Sequence, residues 1–240
     1  MSRSATSVAV PEAILRVADQ TLHSEDRMVI KAYGFIPVTE YFMRDFVKKL
    51  MQKYERPELS TPIAMIIKEL TVNATKANFK RIVFNENRVN MSDAADYERG
   101  MKIFREAISD RMSVEYGKKA KQARLNIHAS FDFDRDRVII EVRNNLGMTR
   151  NEEARVRAKL REAMRCSDVA EFMMENIDET EGAGLGLVLS LMALKSSGID
   201  PHMLTIKTDY ETHTLARVEI PLHDNYLPRR HRFQKQRLMA

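Results

Sequence analysis

Glu69 and Asn73 stand four residues apart in Glu69-Leu-Thr-Val-Asn73-Ala-Thr-Lys76-Ala77, so in a helix both project from one face, with Lys76 within a further turn. A carboxylate, a carboxamide and an ammonium grouped in this way suit a nucleotide. Asn offers a neutral oxygen to Mg²⁺, Lys pairs with phosphate, and Glu can orient or deprotonate a water. Taken alone the stretch is equally a plain amphipathic helix. Glu181-Gly182-Ala183-Gly184-Leu185-Gly186-Leu187 is the second candidate. Closely spaced glycines ahead of a helix let backbone N–H groups approach phosphate oxygens, and a helix N-terminus favours negative charge. The stretch is not a dinucleotide fingerprint, because Met173–Thr180 is too acidic and polar to be the strand that must precede one. Nor is it a P-loop, since no Gly-Lys-Ser/Thr follows. The third candidate is Ile139-Ile-Glu-Val-Arg-Asn144-Asn145-Leu146-Gly147-Met148, a strand running into a polar turn. A polar side chain at such a strand end can read an adenine amino group.

Helical spacing at Pro11–Leu22 and Thr39–Tyr54 predicts two N-terminal helices, the second with Phe42, Phe46, Leu50 and Met51 on one face. That face offers either a homodimer surface or packing on the domain. Ser60 or Thr61 is placed to cap a third helix, with Pro62 near its start and Ile63, Ile66, Ile67, Leu70 and Ala74 as its apolar stripe. About 92–122 is charged, with Met101, Phe104 and Ile108 at helical spacing, and reads as an inserted helical element. Alternation in Leu125–Phe133, a turn at Asp134–Arg137 and then Val138–Val142 predict a hairpin. A charged segment, Thr149–Glu181, leads into the glycines. Val188–Lys195 then reads as a helix, and Leu204–Thr208 with Leu215–Ile220 as a second hairpin that Pro221 stops. This order predicts an α+β domain with a mixed sheet covered on one face by helices.

Together and in this order, the motifs resemble the GHKL superfamily of ATP-binding domains, which includes gyrase-type ATPases, heat-shock-90 chaperones, mismatch-repair ATPases, histidine kinases and serine switch kinases. Glu69-x-x-x-Asn73-Ala-x-Lys76 looks like the N box, and Gly182-x-Gly184-Leu185-Gly186-Leu187 like the second glycine box. Asn144-Asn145-Leu146-Gly147-Met148 sits where Asp-x-Gly-x-Gly is usual, and Thr214 matches the Thr preceding the last strand. The resemblance implies a two-layer α/β sandwich (the Bergerat ATP-binding fold) over about 61–223, behind an N-terminal helical region at 1–60 and ahead of a basic tail at 224–240. It implies ATP and Mg²⁺ as ligands, with Asn73 on the metal and Lys76 on phosphate beside Ala77. Gly182, Gly184, Leu185, Gly186 and Leu187 would follow the triphosphate, and Asn144, Gly147, Met148 and Thr214 would sit near adenine. Glu69 would be the catalytic base, and 149–181 a mobile lid. The usual adenine-reading Asp is absent. Asn144 is its nearest replacement (Arg143 if the alignment slips by one), and an Asn carbonyl can still accept from an amino group.

Within the superfamily the expectation is a histidine-kinase-like protein acting in phosphotransfer signalling, with a protein partner as phosphoacceptor or regulator. A serine kinase, an ATP-gated switch resembling anti-sigma factors, and a binding module with weak hydrolysis are the alternatives. His23 is the one upstream His, but the usual Arg-x-Pro continuation is missing. His128 reads as an ordinary strand residue. The single cysteine, Cys166, excludes an internal disulfide and reads as an ordinary lid or core residue. No apolar run approaches the roughly 18–20 residues of a membrane span, and Met1–Ser7 is too polar for a signal peptide, so a cytoplasmic protein is expected. The net charge of +5 gathers in Arg229-Arg230-His231-Arg232, Lys235 and Arg237. Without a base-stacking or helix-turn-helix pattern that run reads as a solvated end, and nucleic acid is not expected as a partner.

Overall fold

The computed structural model describes residues 10–107, 112–175, 185–223 and 225–229. Its elements run α1 (Glu12–Ser24), β1 (Met28–Ala32), α2 (Pro37–Lys53), α3 (Ser60–Glu86), α4 (Ala94–Ala107), α5 (Met112–Gln122), β2 (Ile127–Phe133), β3 (Arg137–Asn144), α6 (Arg150–Arg165), α7 (Val169–Glu175), α8 (Leu185–Ser196), β4 (Leu204–Thr208) and β5 (Thr214–Pro221). The class is α+β, as the alternation of periods predicts.

The five strands form one sheet in the order β1-β2-β3-β5-β4, and every pairing is antiparallel. The mixed sheet expected from the sequence is therefore corrected. β3 and β4 run in the same direction, but the second hairpin inserts β5 between them, so they are not paired. β1 was also unforeseen in a region expected to be helical. It is a five-residue edge strand on β2, too short for its alternation to stand out.

Ala129, Phe131 and Phe133 of β2, Val138, Ile140 and Val142 of β3, and Val218 and Ile220 of β5 are buried under the helices. The apolar stripe of α3 meets them through Ile63, Ile66, Ile67 and Leu70, and α2 adds Phe42, Phe46, Val47, Leu50 and Met51. The α2 face that offered a dimer surface is thus spent inside the chain's own core. At 27 residues α3 is about 40 Å long. Its last turns leave the sheet and enter a second cluster, in which Phe79, Ile82, Val83 and Phe84 meet Tyr97 and Phe104 of α4 and Ala120 of α5. The insertion is therefore a satellite core built on the tail of α3. Neither Ser60 nor Thr61 caps α3. A 3-10 turn at Pro57–Leu59 runs straight into the helix, and the Ser60 hydroxyl has no partner among the described residues.

The segment expected as a mobile lid is largely helix. Thr149 and Glu152 form a reciprocal capping box at the start of α6. At its other end Lys195 Nζ donates to the carbonyls of Ala163, Met164 and Cys166, as a cation at a helix C-terminus should. Ala163 and Cys166 are buried, and Val156, Leu160 and Met164 pack on the main core. Residues 176–184, with Gly182 and Gly184, lie outside the described residues. No helix among the described residues is long and apolar enough to cross a membrane.

Candidate functional site

The pleat of β3 decides which polar residue at its end faces the helices. Val138, Ile140 and Val142 point into the core, so Asn144 does too, while Arg143 is exposed on the opposite face. Asn144 is only 4% exposed, and its Nδ2 donates to Asn78 Oδ1 of α3 at 3.4 Å. Asn145 turns away. It accepts from the Asn126 amide at 2.6 Å and donates to the Arg124 carbonyl at 2.8 Å, which ties the end of β3 to the start of β2.

Beyond Asn145 the loop is held from the second hairpin. Thr214 Oγ1 donates to the Leu146 carbonyl at 2.8 Å, and the Met148 amide donates to Thr208 Oγ1 at 3.0 Å. Gly147 lies so close to the β4–β5 turn that a Cβ there would sit 2.3 Å from the Tyr210 carbonyl carbon. That turn is itself fixed by Asp209, whose carboxylate accepts from the Thr212 hydroxyl and from the amides of His213, Glu211 and Thr212. These bonds hold the Asp209 pKa well below the usual carboxylate range.

Between α3, the β3 loop, β5 and α6 lies a cavity of about 270 Å³. Its apolar walls are Leu70, Ala74, Ala77, Val142, Leu146, Val156, Leu187, Ile206 and Ala216. Its polar groups are Asn73, Lys80, Arg81, Asn144, Glu152 and Thr214, with Gly147 and Met148 on the loop side. An apolar slot with a few convergent polar groups is the usual form of a small-molecule site, though its size falls just under the roughly 300–1,000 Å³ of typical ligand pockets. A cleft of 490 Å³ between α2 and α3 is larger, but it holds none of the expected residues, and its Lys68 and Glu40 are paired with each other at 2.7 Å.

Of the expected site residues, Asn73, Ala77, Asn144, Gly147, Met148, Leu187 and Thr214 line the cavity, whereas Glu69, Lys76, Leu185 and Gly186 do not. Lys76 is exposed. Glu69 faces the first turn of α8, where a Cβ on Gly186 would lie 2.1 Å from Glu69 Oε2. Lys80 and Arg81 supply the cavity's cations instead. At about 100° per residue the lining of α3 centres near Ala77, which leaves Glu69 and Lys76 together on one flank. Counting on from Ala77 by three and four, rather than from Asn73, would have found both cations.

Lys80 is committed within the site. It forms an ion pair with Glu152 of α6, sits 3.4 Å from the Tyr97 hydroxyl of α4, and lies 5.7 Å above that ring. Burial raises the pKa of Glu152. The Lys80 charge and hydrogen bond, the Thr149 amide and Arg81 outweigh it, so the carboxyl stays below its ordinary value. Arg81 donates to the Gly147 carbonyl at 3.3 Å, while its Nε and the buried Asn78 Nδ2 have no partner among the described residues. No group of three or more His, Cys, Asp or Glu side chains among the described residues could hold a metal.

A protein of Treponema pallidum (strain Nichols), whose printed name is "Uncharacterized protein", is 33% identical over 194 residues, 81% of this chain and 37% of that one. This chain therefore spans just over a third of the relative it matches. No family model matches the chain, and no solved structure does.

Proposed function

We propose that the 270 Å³ cavity takes the adenine end of ATP, bound with Mg²⁺, and that the chain is a histidine-kinase-like protein of phosphotransfer signalling. The reading rests on one observation: Asn73, Asn144, Gly147 and Thr214, from three separate segments of the sequence, converge on a single cavity. The residues suit the ligand. No described hydrogen bond reaches Asn144 Oδ1, which leaves it to accept from an amino group. The lone pairs of Thr214 Oγ1 are available once its proton goes to Leu146. The unpartnered Arg81 Nε, on a residue of the cavity wall, suits an acceptor on the ligand. Bound ATP supplies the transferable phosphoryl group. Asn73 would hold the metal, Lys80 and Arg81 would meet negative charge, and Glu69 would orient the attacking group.

ATP with Mg²⁺ at a hundredfold excess over its dissociation constant should stabilise the fold by about 2.7 kcal/mol. The melting temperature should rise by several degrees, and Asn73→Ala should remove the Mg²⁺-dependent part. The absence of any shift with millimolar ATP, ADP or a non-hydrolysable analogue overturns the reading. The acid stability of label from radioactive ATP then separates the chemistries: phosphohistidine is lost, phosphoserine survives, and free phosphate alone means an ATPase. His23, the histidine candidate, is exposed in the last turn of α1.

Glu69→Ala should leave nucleotide affinity within about twofold while lowering turnover by roughly 10²-fold or more, because a general base acts on the transition state. Equal losses of affinity and rate would make Glu69 a support for α8 instead.

The ATP-gated switch, or serine kinase, is the second reading, and the Lys80–Glu152 pair favours it. Glu152 occupies the ammonium that a phosphate would need, so a nucleotide drawing Lys80 away would loosen α6 from both α3 and Tyr97 of the insertion. Binding would then change a surface that a regulatory partner can read.

A further inference from the structure

The face of the sheet away from the helices carries a row of cations in one cross-strand register. Lys31 of β1 opposes His128 of β2, His128 opposes Arg143 of β3, Arg143 opposes Leu215 of β5, and Leu215 opposes Lys207 of β4. Lys31, Arg143 and Lys207 are exposed and His128 is half-buried. The row crosses four strand spacings, about 19 Å. Lys31, Arg143 and Lys207 stand two strands apart, about 10 Å, with His128 and Leu215 between them and no acid in the row. The acids of this face are engaged elsewhere: Glu141 with Arg27 at 3.0 Å, Glu219 with Arg217 at 2.7 Å, and Asp132 with Arg137. No ion pair among the described residues involves Lys31, Arg143 or Lys207, although the Lys31 ammonium lies 5.8 Å from the Tyr33 ring centre. Burial first, then Lys31 and Arg143, depress the pKa of His128.

The last described residue, Arg229, is held on the same face. The Arg229 amide donates to Glu219 Oε1 at 2.9 Å, and the sequence continues with Arg230, His231, Arg232, Lys235 and Arg237 and no acid.

We propose that this row binds the phosphate backbone of a nucleic acid without reading its bases, at a site separate from the nucleotide cavity. The row itself holds no aromatic side chain, and the tyrosines near it are engaged, Tyr33 beside the Lys31 ammonium and Tyr226 donating to Glu219 Oε1, so phosphate contact rather than base stacking is what the row offers. Protein partners are held by buried apolar and aromatic anchors, and the row has only Leu215. Nucleic-acid interfaces are polar and strongly positive, as this one is.

The test uses the full chain with two fluorescein-labelled probes, a 20-nucleotide single-stranded RNA and a 20-base-pair duplex DNA, titrated between 50 and 200 mM KCl. Binding of at least one probe is expected at 50 mM. A Lys31→Ala/Arg143→Ala/Lys207→Ala variant, with its melting temperature checked, should bind about tenfold or more weakly. The slope of log affinity against log salt should fall by about 2, from three lost contacts at about 0.7 each on a single strand. No binding of either probe by the native protein at 50 mM overturns the proposal. So does a triple variant with unchanged affinity and slope, which would assign the binding to the tail. Displacement of the RNA by polyglutamate at equal charge concentration would also overturn it, in favour of an acidic protein.

Discussion

Glu152→Ala is expected to cost about 3 kcal/mol and to lower the melting temperature by roughly 6–12 °C. It leaves Lys80 with its charge intact and its counter-ion gone, in a place where the two side chains keep only 15% and 11% of their exposure. Removing one member of a buried pair costs about 3–5 kcal/mol, and the residual exposure puts this pair at the lower end. The same change opens half of the capping box at Thr149. Replacing both partners, as Lys80→Met/Glu152→Leu, should cost much less than the sum of the single changes, since an apolar pair leaves no orphaned charge. The pH dependence has a definite sign. The folded-state pKa of Glu152 lies below its ordinary value of 4.5. Its contribution is therefore fully present above that value and is lost as pH falls through the lower, folded pKa. The gap between native protein and Glu152→Gln should be constant from about pH 6 to 8 and shrink below about 4.5. Chemical unfolding at several pH values measures all of this, and a Glu152→Ala loss under about 1 kcal/mol would show that α6 is not held by this pair. If Lys80 is what the phosphates need, Glu152→Gln should also tighten ATP binding, and Lys80→Ala should weaken it.

Gly147→Ala should cost about 3 kcal/mol and abolish the stabilisation by ATP. The new methyl would lie 2.3, 2.4 and 2.6 Å from backbone atoms of Tyr210 and Glu211. Those atoms cannot step aside cheaply, because four hydrogen bonds to the Asp209 carboxylate fix the turn they belong to. The hairpin would have to move as a whole, carrying Thr214 and the Leu146 carbonyl with it. Gly186→Ala is the matched control. Its methyl meets Glu69 Oε2 at 2.1 Å, the free end of a flexible side chain, and alanine favours a helix by up to about 1 kcal/mol over glycine. The two variants should therefore differ by at least about 2 kcal/mol in denaturant unfolding, a gap set by whether backbone or side chain must yield. Equal, small losses would mean that the β4–β5 turn moves freely over the site.

The sequence by itself determined the elements whose signals are local. The stripe of α3, the two hairpins with a turn after Phe133, the helix after the glycines and the inserted helices each follow from side-chain periodicity and turn residues that neighbours in the chain dictate, although the turn expected at 134–137 gives up Arg137 to the strand. The resemblance to GHKL domains, read from the motifs and their order, is what pointed to the N-box stretch, the end of β3 and Thr214, which line one cavity. Only the tertiary structure decided the rest, because each remaining choice depends on a partner distant in sequence. β1 is a strand because β2 offers it an edge, and the sheet is wholly antiparallel because β5, not β4, lies beside β3. Asn144 rather than Arg143 enters the cavity because the pleat has two faces and the core takes the one with Val142. Lys80 and Arg81 rather than Lys76 reach it because packing of α3 on the sheet sets the helix's rotation, which periodicity leaves open by a flank. The first half of the charged segment after Thr149 packs as helix α6 because Lys80, Tyr97, Tyr210 and Lys195 reach it from four other parts of the chain.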